Sequence, residues 1–430
     1  METEQTTLVG RGNQNGAQLF RDWFVDLEKS RTDGRHAAYV FVMGSLNEIL
    51  KTFDMPVVFP EINSLQTAVR RVAGDFLTEA EDYGYSPDIC GYVKADVAVQ
   101  LRGGDHPMGK LPKPSLAVLT NACNTYVKWA EIWERMYEIP IVTIDVPGTR
   151  GKRGDPTIRD VSFENDRRYV EAQLRELIQT CEQITKQKFN VDKLRETLTY
   201  ANTISRSWKA ILECNRSTPS VFNALTDGTI YLGVANGFRG SRAGAEYFEQ
   251  LLEEMNYKAA NGIGTVNEEK FRLAFVGVPC YPIFRRFNEF FSDWGGSFVQ
   301  STYLYFAAGG ANLGFEYDVD RPIESLAEGL LVSVRDAMDS MFHQDQILQT
   351  MIDDYHLEGV VYHPIKSCRT VSTGLADGRK HLMAQRNVST LFLESDMMDK
   401  RVVSEAQMKN RIDAFFEGLI SRRQIAAANA

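Results

Sequence analysis

The sequence predicts an α/β protein with two tandem parallel-sheet lobes of Rossmann or flavodoxin type, joined by a helical segment. Two observations carry this reading. Short apolar runs, often β-branched, end at Gly, Pro or a polar residue and are followed by helical stretches, the pattern of βαβ units. These runs fall into two sets, and residues 157–212 between them hold many charges and few breakers. The first set is Tyr39–Met43, Pro56–Phe59, Leu116–Thr120 and Ile141–Ile144. The second is Leu273–Val278, Phe298–Leu304, Gly359–Tyr362 and Thr390–Leu393. The first 16 residues are polar and read as loose; Phe20, Trp23, Phe24 and Leu27 then recur at helical spacing. A last helix is expected over Ser404–Leu419, where Ser404 and Gln407 fit a capping box. The expected division is 1–34 as tail and helix, 35–212 as first lobe with helical connector, and 213–430 as second lobe.

Composition narrows the functional classes. A net charge of −9 argues against a nucleic-acid backbone as partner. Six cysteines in 430 residues are too dilute for a disulfide framework. No apolar run reaches the roughly 20 residues needed to cross a bilayer. The polar start, METEQTTLVGRGNQNG, lacks the apolar core of a signal peptide. The expectation is a chain of the reducing cytoplasm, with no membrane or nucleic-acid partner and with thiols free to ligate metal.

Three cysteines stand out by placement. In open parallel sheets ligands bind beyond the carboxyl ends of strands. Cys123, in Asn121-Ala122-Cys123-Asn124, follows the strand that ends at Thr120, and Cys368 follows the strand that ends at Tyr362. Cys90 lies in Ser86-Pro87-Asp88-Ile89-Cys90, which reads as a helix start with Ser86 as N-cap and Pro87 as first helical residue. A helix N-terminus favours a thiolate. If the three converge, they can hold a [4Fe–4S] cluster and leave one iron open; if not, the chain is a metal-free α/β enzyme with buried thiols. Cys181 and Cys214 sit within helical stretches and read as structural. Cys280, after Val276-Gly277-Val278-Pro279, reads as a wall residue that could also lie near a ligand.

Other motifs carry less. Gly104-Asp105-His106-Pro107-Met108-Gly109-Lys110 fits part of a phosphate-binding loop, but Leu111 replaces the magnesium-binding Ser or Thr. Pro112 and Pro114 forbid the helix that should follow. The histidines form no zinc pair. His363, between a strand and Cys368, reads as a hydrogen-bond or proton donor or as a strand-end histidine satisfied by backbone. Glu61, just after a first-lobe strand, reads as an acid or base or as a helix cap. Lys128, Arg150, Lys152 and Arg153 follow first-lobe strands and are candidates for binding phosphates.

The runs FPEINSLQ, SPDICGYVK, LTNACNTYVKWAE, VYHPIKSCRTVSTG and LESDMMDKRVVSEAQMKNRIDAFFEGL resemble the benzoyl-CoA reductase / 2-hydroxyacyl-CoA dehydratase family. The likeness runs from about Tyr39 to Leu419, and the stretch from Val40 to Gln66 is most similar to B-type subunits of ATP-dependent aryl-CoA reductases. The resemblance implies one [4Fe–4S] cluster between the lobes, held by Cys90, Cys123 and Cys368, with one open iron site. It implies a related second subunit, an activator ATPase with its own cluster, and ferredoxin as electron source. ATP is then hydrolysed by the activator and not bound here. The implied reaction is one-electron reduction of an aryl-CoA ring to a cyclic dienoyl-CoA, with His363 and Glu61 as candidate proton donors. The other readings are a 2-hydroxyacyl-CoA dehydratase subunit and an electron-relay subunit that binds no substrate.

Overall fold

The computed structural model describes residues 8–148, 161–306, 314–336 and 341–429. It contains two four-stranded parallel sheets. The first comprises β1 (Ala37–Val40), β2 (Val57–Val58), β3 (Pro114–Thr120) and β4 (Ile141–Ile144), in the order β2-β1-β3-β4. The second comprises β5 (Phe271–Gly277), β6 (Gly296–Ser301), β7 (Gly359–His363) and β8 (Ser389–Phe392), in the order β6-β5-β7-β8. The two sheets thus share one strand order, although the sequence shows no repeat. β1, β5, β6 and β7 are buried along their whole length, as parallel strands covered by helices on both faces must be. In each sheet the order reverses beside the first strand of the set, so a crevice opens between β1 and β3 and another between β5 and β7.

Two strands end three residues before their apolar runs do, for local reasons. The run Tyr39–Met43 leaves the sheet at Val40, because the Val42 N–H turns to Glu61 Oε2 at 2.7 Å and Gly44 (φ 79°) bends the chain against Thr120. The run Phe298–Leu304 leaves at Ser301, whose hydroxyl accepts the Tyr303 N–H as a helical turn begins at Thr302.

The helical segment is two helices, Val161–Thr185 and Val191–Cys214. Lys186 breaks the run with φ 60°, and Asn190 restarts it by accepting the Asp192 and Lys193 N–H groups. The second helix runs through the expected boundary at 212/213. The polar N-terminal residues are not loose from position 8 onward. A helix covers Arg11–Ser30, and the Gly10 and Gly12 N–H groups donate to Glu254 at 2.6 and 2.7 Å. The same helix sends Trp23 Nε1–H to the Val57 carbonyl and stacks Phe24 on His106, so it fastens both sheet units together. The phosphate-loop decoy is a turn between the helix Gly91–Leu101 and β3, closed by Leu111 N–H to Gly104 O at 2.8 Å. The C-terminal helix starts at Glu405 with Ser404 at the N-cap, but the Ser404 side chain makes no capping bond, and the helix continues to Ala428. No helix among the described residues is long and apolar enough to cross a membrane.

Candidate functional site

Cys90, Cys123 and Cys368 each occupy the residue just before a helix. The helices are Gly91–Leu101, Asn124–Tyr137 and Arg369–Ser372. This corrects the expected start at Pro87: the Ser86 hydroxyl only accepts the Asp88 N–H, and the helix begins after Cys90. No thiol reaches capping distance, yet first-turn N–H groups face two of them: Val93 and Tyr92 toward Cys90, and Val371 toward Cys368. Such donors favour the thiolate.

The lobes bring the three together. Cys123 Sγ lies 3.4 Å from Thr370 Oγ1, two residues beyond Cys368, and the Gly91 N–H reaches Ser367 Oγ at 3.4 Å. Burial raises the Cys90 thiol well above its usual range, and the neighbouring Cys368 and Cys123 raise it further. Burial pushes Cys368 up to about 11, with Cys123 again adding to the shift. Burial therefore disfavours thiolates at Cys90 and Cys368 unless a positive counter-charge joins them. Among the described residues no three His, Cys, Asp or Glu are gathered closely enough for one metal ion. Three thiols with first-turn N–H groups beside them are the donor chemistry that a multi-iron core would take, and such a core would supply the missing positive charge. The donor set therefore fits the implied cluster.

The scaffold beneath is rigid. Asp96 is buried on the helix after Cys90, and its Oδ2 accepts Nε1–H from Trp129 and from Trp133, both at 2.7 Å, on the helix after Cys123. Burial raises this carboxyl to about 6. From the second lobe, Asp396 accepts N–H groups from Ser367 at 2.9 Å, Met398 at 2.8 Å and Asp399 at 3.0 Å, which shapes the loop before Cys368. The Asp396–Met398 segment packs on the helix start at Gly91, where a Cβ would stand 2.7 Å from Met398 Cβ. Arg401 pairs with Glu81, which also pairs with the buried Lys94, so this contact is clamped by charge. Hydrogen bonds from Arg401 and Lys94 lower Glu81 to about 2.

Glu61 stands beside the trio. Its Oε2 accepts the Val42 N–H at 2.7 Å and its Oε1 accepts the Tyr126 hydroxyl at 2.9 Å. Neither partner belongs to its own helix, Pro60–Val69, so Glu61 does not cap that helix. Burial raises its carboxyl from 4.5 to about 7, with both hydrogen bonds opposing the rise. A group titrating there can hold or release a proton near neutral pH. Tyr92, Tyr281 and Tyr303 surround it. Tyr92 Oη is buried beside the Tyr281 and Tyr303 phenols.

His363 is placed differently. The imidazole is fully buried; Nδ1–H donates to Val278 O and Nε2 accepts the Ser395 hydroxyl, each at 2.6 Å. Burial lowers its pKa to about 4, so the ring is neutral. Cys280 Sγ lies 3.6 Å from the same Ser395 Oγ and is buried. Cys181 is buried in its helix, and Cys214 faces Asn256. Lys128 is surface-exposed and paired with Glu131. Arg150, Lys152 and Arg153 lie outside the described residues. The residues that sequence reasoning missed are Tyr126, Asp96, Asp396 and Gly91. Tyr126 carried the one available signal, at helical spacing three residues after Cys123.

The profile of the 2-hydroxyglutaryl-CoA dehydratase D-component family matches residues 45–419. The chain belongs to that family. It is 31% identical to the B-type subunit of benzoyl-CoA reductase from Thauera aromatica over 411 residues, 93% of each chain. It is 27% identical to the (R)-phenyllactyl-CoA dehydratase alpha subunit of Clostridium sporogenes, over 88% of each chain. It is 25% identical to the (R)-2-hydroxyisocaproyl-CoA dehydratase alpha subunit of Clostridioides difficile, over 95% of this chain and 96% of that one. Family members with these names are enzyme subunits.

Proposed function

We propose that this chain is the cluster-bearing subunit of an ATP-dependent aryl-CoA reductase of the benzoyl-CoA type. The observation that carries the reading is the convergence of three cysteines at helix starts on a carboxyl poised near neutral pH. Similarity to the B-type subunit of benzoyl-CoA reductase supports the substrate class. Cys90, Cys123 and Cys368 would hold a [4Fe–4S] cluster, which supplies low-potential single electrons when bound.

The chain's own residues then do the rest. Burial of Glu61 among Tyr92, Tyr281 and Tyr303 limits water at the proton donor, which protects a strongly reducing reaction from wasteful proton reduction. Glu61 keeps a proton on its carboxyl and passes it to the ring, while Tyr126 and the Val42 N–H fix its orientation. His363, with both nitrogens engaged, positions the chain between β7 and Cys368 and leaves the acid role to Glu61. Two electrons and two protons convert the aryl ring to a cyclic diene. The electrons come from ferredoxin through an activator ATPase with its own cluster, and a related second subunit completes the catalytic core. ATP stays with the activator, in keeping with the turn formed by residues 104–111.

The test is an anaerobic assay of the complete complex with benzoyl-CoA, ATP and a strong reductant. Diene formed with stoichiometric use of reductant and ATP is the expected result. The family profile and the phenyllactyl relative favour a second reading, a 2-hydroxyacyl-CoA dehydratase subunit. Turnover that needs reductant only for priming would establish it instead. Cys123→Ala should lose iron; full iron occupancy in that variant would overturn both.

A further inference from the structure

Reduction of an aryl ring takes up two protons, and Glu61 carries one at a time. In the proposed reaction the ring lies against the open side of this half-buried carboxyl. The second proton must then reach Glu61 from behind, while the ring stays in place. Both carboxyl oxygens are already engaged, by the Val42 N–H and by the hydroxyl of the buried Tyr126. Three more phenols, Tyr92, Tyr281 and Tyr303, feel the Glu61 charge.

Tyr281 and Tyr303 belong to the second lobe and approach Glu61 across the lobe boundary. The helix Pro60–Val69, which carries Glu61, packs on the turn Tyr281–Ile283. Tyr281 is buried, and its hydroxyl lies 3.3 Å from that of Tyr303. Tyr303 is half-buried and lines a cavity of ≈ 400 Å³. The exposed Arg21, Arg70 and Arg285 line the same cavity, so it meets solvent. A second cavity, of ≈ 1120 Å³, is lined by Cys90. Of the four phenols around Glu61, only Tyr303 lines either one. Burial pushes Tyr303 up to about 12 and Tyr281 well above its usual range, so both keep their protons at neutral pH. A neutral hydroxyl can accept a proton on its oxygen as it releases its own.

We infer that Tyr303 and Tyr281 form a proton relay that recharges Glu61 from the ≈ 400 Å³ cavity during turnover. The inference rests on the reading of Glu61 as proton donor. Once Glu61 has given its proton, both hydroxyls turn toward the carboxylate. The Tyr281 O–H bond breaks and a new O–H bond forms on Glu61. Tyr281 takes the Tyr303 proton, and Tyr303 takes one from solvent in the cavity. One proton enters and one is delivered, no electron moves, and both phenols end neutral.

The test follows hydrogen–deuterium exchange of the Glu61 carboxyl by infrared spectroscopy at pH 6, below its pKa of about 7. It uses the anaerobically purified full chain with its partner subunit, with benzoyl-CoA bound and no reductant. The band is assigned by its loss in Glu61→Gln. Tyr303→Phe and Tyr281→Phe should each slow this exchange at least tenfold. The double variant should be no slower than the slower single one, since the two act in series. Backbone amide exchange should be unchanged, which separates a lost relay from a loosened structure. In turnover both variants should lower kcat with KM kept. Tyr362→Phe, at a phenol that lines the larger cavity, should change none of these. Wild-type exchange in both relay variants, or slowing by Tyr362→Phe in their place, overturns the relay and leaves Glu61 as donor. Diene formed at the wild-type rate by Glu61→Gln, or a complex that binds no benzoyl-CoA, overturns the donor reading and the relay with it.

Discussion

Replacing Tyr126 with Phe isolates one hydrogen bond on the proposed proton donor. The phenol donates to Glu61 Oε1 at 2.9 Å, while the ring stacks on Phe41 with centroids 3.9 Å apart. Phe keeps the stacking and removes only the hydroxyl. That bond favours the ionised carboxylate, so its loss must raise the Glu61 pKa above about 7. A hydrogen bond to a charged group is worth about 1.5–3 kcal/mol, and one pKa unit is about 1.4 kcal/mol. The shift should therefore be about one to two units. If Glu61 donates the proton, activity falls as the carboxyl ionises. The alkaline limb of kcat/KM then lies near 7 in the wild type and moves up by that amount in Tyr126→Phe. Infrared difference spectra of the carboxyl stretch follow the same titration without turnover. A limb that stays put in Tyr126→Phe, or one that persists in Glu61→Gln, refutes the assignment.

Three further outcomes follow from the same geometry. Glu61→Gln should be more stable than wild type at pH 8, and the difference should shrink as pH falls to 4.5. The wild-type carboxyl is raised, so the unfolded chain loses its proton first and stability drops between 4.5 and about 7, here by about 3 kcal/mol; parallel pH profiles in denaturant melts would contradict this. Gly91→Ala puts a Cβ 2.7 Å from Met398 Cβ, which forces the Asp396–Met398 segment, and through Asp396 the Ser367 N–H beside Cys368, off the Cys90 helix; iron and sulfide content should collapse while far-UV circular dichroism is kept, and full iron content would show that the contact is dispensable. Asp396→Asn leaves one acceptor oxygen where two serve three N–H groups, so iodoacetamide should alkylate Cys368 several-fold faster in the apoprotein; equal rates would remove Asp396 from the positioning role.

The sheets were readable because parallel strands buried on both faces leave continuous apolar runs, and all eight runs overlap observed strands. What the runs could not show was where a strand yields to a tertiary bond, as at Val42 and Ser301. The docked N-terminus was hidden because its partner, Glu254, lies 244 residues from Gly10, and a polar stretch carries no mark of a distant acceptor. The cysteines were legible as strand-end and helix-start residues. Their meeting was not, because it depends on how two lobes pack. Asp96 and Asp396 escaped notice for the same reason: a buried carboxylate reads like any surface one until its N–H partners are placed.

The position of each cysteine just before a helix gives the site a logic that spacing alone conceals. A side chain at that position faces the unpaired N–H groups of the first turn. Ser or Asp would use them to stabilise the helix. Cys forms a weaker cap, and none of the three closes one. What the helices forgo, the site gains, since uncapped N–H groups remain to steady thiolates. The helices must then be anchored elsewhere, and they are. Asp96 ties the Cys90 helix to two tryptophans of the Cys123 helix, and Ser372 Oγ bonds both the N–H and the carbonyl of Ile365 around the Cys368 turn. Two of the three positions are held by one lobe and the third by the other. Any motion between lobes therefore moves Cys368 against a fixed pair, and the Arg401–Glu81–Lys94 contact is the clamp that opposes it. Glu61 belongs to the fixed side, through Val42 and Tyr126, so the acid keeps its place relative to Cys90 and Cys123 whatever the second lobe does.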